Sequence, residues 1–209
     1  MNSEEFDLWA DNYDKAVGLS DEDGTYPFAG YRALLGTIYS RVLGASSKCV
    51  LDIGFGTAAL TSKLYEKGCL IYGQDFSTVM IGIAKGKMPN ARLFQGDFSE
   101  GLAEPLLQQK YDAIIAAYSL HHLIDGQKIG FLRSLFPLLN EGGCIYIGDI
   151  AFETRSSLRA CMEKTGDEWD PEEYYFVADE LKRHFPSMRF EKISDCAGLI
   201  TLQSGDYAV

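Results

Sequence analysis

Four polar side chains recur at near-constant spacing through the middle of this chain. Asp75 lies 23 positions after Asp52, Asp97 a further 22 and Tyr118 a further 21. Each follows a short apolar run. Carboxylates placed this way can take hydroxyl pairs, amino groups or cations. Between the first two acids sits Gly54-Phe55-Gly56, a turn in which glycine allows tight backbone geometry and close approach of a ligand.

The elements that must position these residues are legible from pattern. CVLDIG (49–54), CLIYGQD (69–75), ARLFQGD (91–97), YDAIIAAY (111–118) and GCIYIGDI (143–150) read as strands buried on both faces of a parallel sheet. Amphipathic stretches over 57–67, 77–85, 99–109 and 125–139 read as the crossover helices, with Ser77 as an N-cap and Gly68 and Gly86 as stops. Alternation of this kind predicts a Rossmann-like, doubly wound α/β fold, in which ligands bind at the carboxyl ends of the strands. Upstream, two helices are expected, one over residues 6–17 and one on the stripe Tyr31, Leu34, Leu35, Ile38, Tyr39 and Val42. Downstream, residues 151–188 read as charged and helical, and residues 189–205 as a hairpin turning at Ala197-Gly198. The whole chain, 1–209, is expected to form one domain. Its parts are N-terminal helices forming a lid (1–46), a binding core (47–150), a helical insertion (151–188) and the hairpin, which completes a mainly parallel seven-stranded sheet.

Two ligand types suit the glycine turn. GFGTAA satisfies the dinucleotide pattern in its alanine-ending form, and Asp75, 19 residues past Gly56, could hold a ribose. Asp52 weighs against that reading, because a pyrophosphate at this turn would meet a carboxylate. S-adenosylmethionine has no phosphate and carries an ammonium and a sulfonium, so the regular acids favour it. A nicotinamide-dependent oxidoreductase and a non-catalytic sensor of S-adenosylmethionine remain the alternatives.

From about residue 48 to 150 the chain resembles the class I S-adenosylmethionine-dependent methyltransferases, especially small bacterial ones with the methyltransferase 11/25-type domain. The blocks VLDIGFGTAALTSKL, YGQDFSTVMIGIAK, QGDFSE and YDAIIAAYSLHHL carry the resemblance, and WADNYD at 9–14 is similar to the lead-in helix of such enzymes. The resemblance implies that Gly54, Gly56 and Thr57 approach the methionine part of the donor, with Asp52 near its ammonium. It implies Asp75 on the ribose hydroxyls, Phe76 and Met80 along the adenine, and Asp97 on the adenine amino group with Phe98 beside the ring. Ala116 and Tyr118 would close the pocket, and Tyr13 would reach the donor carboxylate. Ala58 stands where many relatives have a third glycine. The acceptor is expected to be an unidentified small molecule, methylated in line.

Composition narrows the partners. A formal charge of −11 disfavours nucleic acid and anionic membrane. The acidic start is unlike a targeting signal, and five scattered cysteines read as reduced thiols of a cytoplasmic protein. Monomer and homodimer both stay open. Of the adjacent His121 and His122, His122 is the one weak candidate for a general base; packing is the blander role for both. Asp149 and Asp125 read as loop-capping residues, so no metal is expected. Tyr26, Tyr31, Trp169, Tyr174, Tyr175 and Phe176 are candidate walls of an acceptor pocket, although the last three are consecutive and cannot all face inward.

Overall fold

A computed structural model describes residue 21 and residues 24–203. The helix expected over 6–17, and Tyr13 within it, lie outside the described residues. Helix α1 (Tyr31–Gly44) is followed by β1 (Cys49–Ile53), α2 (Thr61–Glu66), β2 (Leu70–Asp75), α3 (Thr78–Lys87) and β3 (Arg92–Gln95). Then come α4 (Glu104–Leu107), β4 (Tyr111–Ala117), α5 (Asp125–Leu135), β5 (Leu139–Phe152), α6 (Arg155–Thr165), β6 (Phe176–Val177), α7 (Ala178–Leu181), β7 (Arg189–Lys192) and β8 (Ala197–Gln203).

The strands lie in the order β3-β2-β1-β4-β5-β8-β7. The first five pair in parallel and the last two join antiparallel, as the sequence pattern predicts. An eighth strand, the two-residue β6, pairs with the far end of β5. Side chains alternate across the strands: Val50, Ala113 and Ile115 enter one apolar layer with Leu34, Leu64 and Ile81, whereas Leu51, Ile114 and Ala116 enter the opposite layer with Leu106, Leu132 and Leu181. Helices therefore cover both faces.

Helix α1 buries Leu34, Ile38 and Val42, spaced four apart on one face. It sits so close to β5 that a Cβ on Gly148 would lie 2.8 Å from Ile38 Cδ1. Glycine is thus required there by proximity.

Several boundaries differ from expectation. Helix α3 runs through Gly86 to Lys87, and Gly68, with φ +86°, follows α2 as a left-handed stop. The stretch 99–109 is a short 3-10 turn plus a four-residue helix, broken by Gly101 at φ +111°. Residues 151–188 are only partly helical, because β5 continues to Phe152 and Phe176-Val177 pairs with it. The β7–β8 turn falls at residues 193–196, and Gly198 belongs to β8. Gly198 is a packing glycine: a Cβ would lie 2.4 Å from the Phe190 ring.

Ala58 adopts φ +59° and is fully buried. An L-residue in this region costs roughly 1–2 kcal/mol, which glycine avoids while losing about 0.5–1 kcal/mol of its own in unfolded-state entropy. We expect Ala58→Gly to change stability by less than about 1 kcal/mol, in the stabilising direction. Urea denaturation measures this; clear destabilisation would show that the methyl group's packing outweighs the backbone strain.

Candidate functional site

A cavity of about 780 Å³ opens at the carboxyl ends of β1, β2 and β4. Asp52, Gly54, Gly56, Thr57, Asp75, Phe76, Met80, Asp97, Phe98 and Tyr118 all line it. The near-constant spacing in sequence is thus a row along one sheet edge. Ala116 does not line the cavity, because strand alternation sends it into the opposite apolar layer. Ala117, one residue on, takes the place expected of it.

The turn after β1 is shaped by close approach. A Cβ on Gly54, at φ +68°, would lie 2.5 Å from Ser119 Cβ, and Ser119 Oγ donates to the Ile53 carbonyl at 2.8 Å. A Cβ on Gly56, at φ +53°, would point into open space. The Gly56 N–H donates to Asp75 Oδ2 at 2.8 Å, and the Ser77 N–H donates to Asp75 Oδ1 at 3.0 Å. Asp75 therefore couples the glycine turn to the start of α3, where Ser77 Oγ accepts from the Met80 N–H at 3.1 Å. Asp97 caps the next turn by accepting from the Ser99 N–H at 2.8 Å. Tyr118 holds φ +52° and packs against Phe28 and Tyr31, with ring centroids 5.4 and 5.2 Å away.

Asp52 is the electrostatic centre of this end. Its Oδ2 accepts from Thr61 Oγ1 at 2.5 Å, while Oδ1 is buried with no hydrogen-bond partner among the described residues. Burial pushes its pKa up to about 7, Thr61 counteracts this, and the Asp75 charge adds to it. An uncompensated buried carboxylate is costly. A cationic N–H donor at Oδ1 would remove that cost, so the site fits an ammonium.

The far wall comes from the segment after α6. Asp170, Glu172 and Glu173 line the cavity, together with His122 and Tyr31. An anchored network fixes this wall. Tyr175 Oη donates to Glu173 Oε2 at 2.8 Å, Tyr26 Oη donates to Tyr175 Oη, and the Asp170 N–H donates to Tyr26 Oη at 3.2 Å. Trp169 stacks on Tyr26 at 5.2 Å and meets Tyr175 edge-on at 4.8 Å. The Tyr174 N–H donates to the His121 carbonyl at 2.8 Å, and buried Lys128 donates to the Tyr174 carbonyl. The aromatics expected to wall the pocket mostly stand behind it: Tyr175 and Phe176 are buried in the two apolar layers, and Tyr174 faces outward.

The two histidines divide their roles. His121 is buried, with Nδ1 2.6 Å from Asp149 Oδ1 and Nε2 3.4 Å from Glu173 Oε1. The two carboxylates outweigh desolvation and raise its pKa. Asp149 lies inside β5 and also accepts from the Leu120 and Ile150 N–H groups, which makes it a scaffold residue. His122 faces the cavity, where its surroundings and the neighbouring His121 lower its pKa. It is therefore neutral at physiological pH. The ligand atoms of His121, His122 and Glu173 lie within 4.8 Å of one another, a spacing that a metal ion could bridge. Within that group, His121 already makes an ion pair with Glu173.

Sequence reading missed Asp170, Glu172, Glu173 and Phe55, all of which line the cavity. Gly73 inside β2 was the available signal for Phe55, because a Cβ there would lie 2.6 Å from its ring. Among the described residues that line the cavity there is no lysine or arginine. No described helix is long and apolar enough to cross a membrane.

Comparison with known proteins gives concordant matches. A family model described as a methyltransferase domain matches residues 50–143. An uncharacterized methyltransferase of Anoxybacillus flavithermus is 33% identical over 180 residues, which cover 86% of this chain and 80% of the relative. One of Halobacillus halophilus is 31% identical over 212 residues, covering 96% of both. Among solved structures, DhpI in complex with SAH superposes with a TM-score of 0.69 at 18% identity, covering 95% of this chain and 93% of that one. Magnesium protoporphyrin IX methyltransferase of Synechocystis with bound SAH gives 0.65 at 17% identity and 84% of each chain.

Proposed function

As a member of the class I S-adenosylmethionine-dependent methyltransferases, the chain uses S-adenosylmethionine as its donor, and we propose that it methylates a small molecule held against the acidic far wall of the cavity. The observation that carries this reading is Oδ1 of Asp52, which has no hydrogen-bond partner among the described residues, a buried carboxyl at the end of the cavity where the donor's ammonium would sit. S-adenosylmethionine supplies an electrophilic methyl group on a sulfonium, and its transfer leaves S-adenosylhomocysteine.

The chain's own residues bind and orient. Asp75 receives the ribose hydroxyls with the carboxylate that also accepts from the Gly56 and Ser77 amides. Asp97 receives the adenine amino group, with Phe98 against the ring and Phe76 and Met80 flanking it. Gly54, Gly56 and Thr57 present backbone to the methionine part. Of the lid expected over 1–46, the part before residue 24 lies almost wholly outside the described residues; for the rest, the position of Tyr31 and Leu35 at the cavity supports the role. Holding the acceptor in line with the methyl group in a desolvated cavity supplies much of the rate.

Neither a nicotinamide enzyme nor a non-catalytic sensor is favoured by the family matches. Thermal denaturation tests the donor reading directly. S-adenosylhomocysteine at 100 times its dissociation constant should stabilise the protein by about 2.7 kcal/mol. A midpoint unmoved by S-adenosylhomocysteine but raised by NADH would overturn the assignment.

A further inference from the structure

Among the described residues six carboxylates line the cavity, and only three of them belong to the row at the strand ends. The other three, Asp170, Glu172 and Glu173, stand on the far wall; no lysine or arginine is among the described lining residues, and His121 behind the wall pairs with Glu173 alone. Glu173 is held through both of its carboxylate oxygens. Its Oε2 accepts from Tyr175 Oη at 2.8 Å, and its Oε1 lies 3.4 Å from His121 Nε2. The carboxylate is thus fixed in place before any ligand arrives. Its side chain keeps 21% exposure, open to the cavity it lines. Tyr31 and Tyr118 line the same cavity, and aromatic rings attract cations.

We propose that the methyl acceptor is a small amine, bound as its ammonium by Glu173 with Asp170 and Glu172 around it, and methylated on nitrogen. This deepens the methyltransferase reading and rests on it. An acceptor carrying a carboxylate or phosphate would bring a like charge against these three acids, of which only Glu173 has a basic neighbour, His121, among the described residues.

An ammonium has no lone pair to attack with, so one N–H proton must leave first. His122 lines the same cavity, but its lowered pKa makes it a poor base, so the proton passes to solvent water. The freed nitrogen lone pair then forms the N–C bond as the C–S bond breaks, and that bonding pair stays on sulfur. The products are a methylated ammonium, S-adenosylhomocysteine and the proton released to solvent.

The test uses the full chain saturated with S-adenosylhomocysteine. Binding of phenethylamine and 3-phenylpropionate, near-isosteric probes of opposite charge, is compared by ligand-observed NMR titration. We expect the amine to bind at least tenfold tighter than the carboxylate. Glu173→Gln should remove most of that preference and change S-adenosylhomocysteine affinity less than twofold. Glu172→Gln, without the anchored carboxylate, should have a smaller effect. Equal, reversed or absent preference in the unmodified protein overturns the amine assignment. Failure to bind S-adenosylhomocysteine at all would instead overturn the donor reading, so the two failures are distinct.

Discussion

Asp75→Ala should weaken S-adenosylhomocysteine binding by ~10²–10⁴-fold, as two charge-assisted hydrogen bonds at roughly 1.5–3 kcal/mol each are lost. The carboxylate is buried and accepts from the Gly56 and Ser77 N–H groups. Alanine therefore removes the ribose acceptor and also releases the glycine turn from α3. Both effects weaken the donor site, and neither touches the apolar layers on the two sheet faces. Ser77 still caps α3 through the Met80 N–H, so the cooperative unfolding transition should survive. Calorimetric titration beside a urea curve checks both halves. Unchanged affinity would show that Asp75 serves only to tie the turn to the helix. A lost unfolding transition would place its role in folding.

What the sequence made legible was the local part of the problem. Strands such as YDAIIAAY are continuous apolar runs, and each βα unit repeats at nearly constant length. The positions of Asp52, Asp75, Asp97 and Tyr118 along one edge follow from that length alone. Ala116 shows where this logic stops. The motif gives a residue near the end of β4, but the parity of the strand decides which face it meets, and parity gives Ala117 to the cavity. The far wall was less legible because it depends on contacts across long sequence separations. Asp170 is placed by Tyr26 and the Tyr174 backbone by Lys128, and no local periodicity encodes such pairs. Residues 170–176 carry three acids followed by three aromatics, and composition made the aromatics look like the walls. Packing instead drew Tyr175 and Phe176 inward and left the carboxylates at the cavity. Gly148 and Gly198 show the same limit, since their need for glycine lies in a distant helix or ring.

The second large effect is on pH. With its pKa raised from 3.8 to about 7 by burial, Asp52 is mostly protonated in the free protein at pH 6. The sign follows from linkage. Between its ordinary value and about 7 the folded state holds a proton that the unfolded chain has lost, so this group's contribution to stability declines as pH rises through that window. A ligand ammonium at Oδ1 favours the ionised form and drives the proton off. S-adenosylhomocysteine should therefore bind about tenfold more tightly for each pH unit between 5 and about 7, and then level off. At pH 6 its binding should release close to one proton, read by calorimetry in buffers of different ionisation heat. His121 and His122 also titrate near the cavity, and Asp52→Asn separates their contribution. That variant cannot ionise, so its affinity should be nearly flat over the same range and weakest relative to the unmodified protein at pH 8. Proton release that persists in Asp52→Asn would assign the linkage to the histidines. A flat profile in the unmodified protein would mean that the ammonium binds elsewhere, leaving Oδ1 to be explained by a neutral donor.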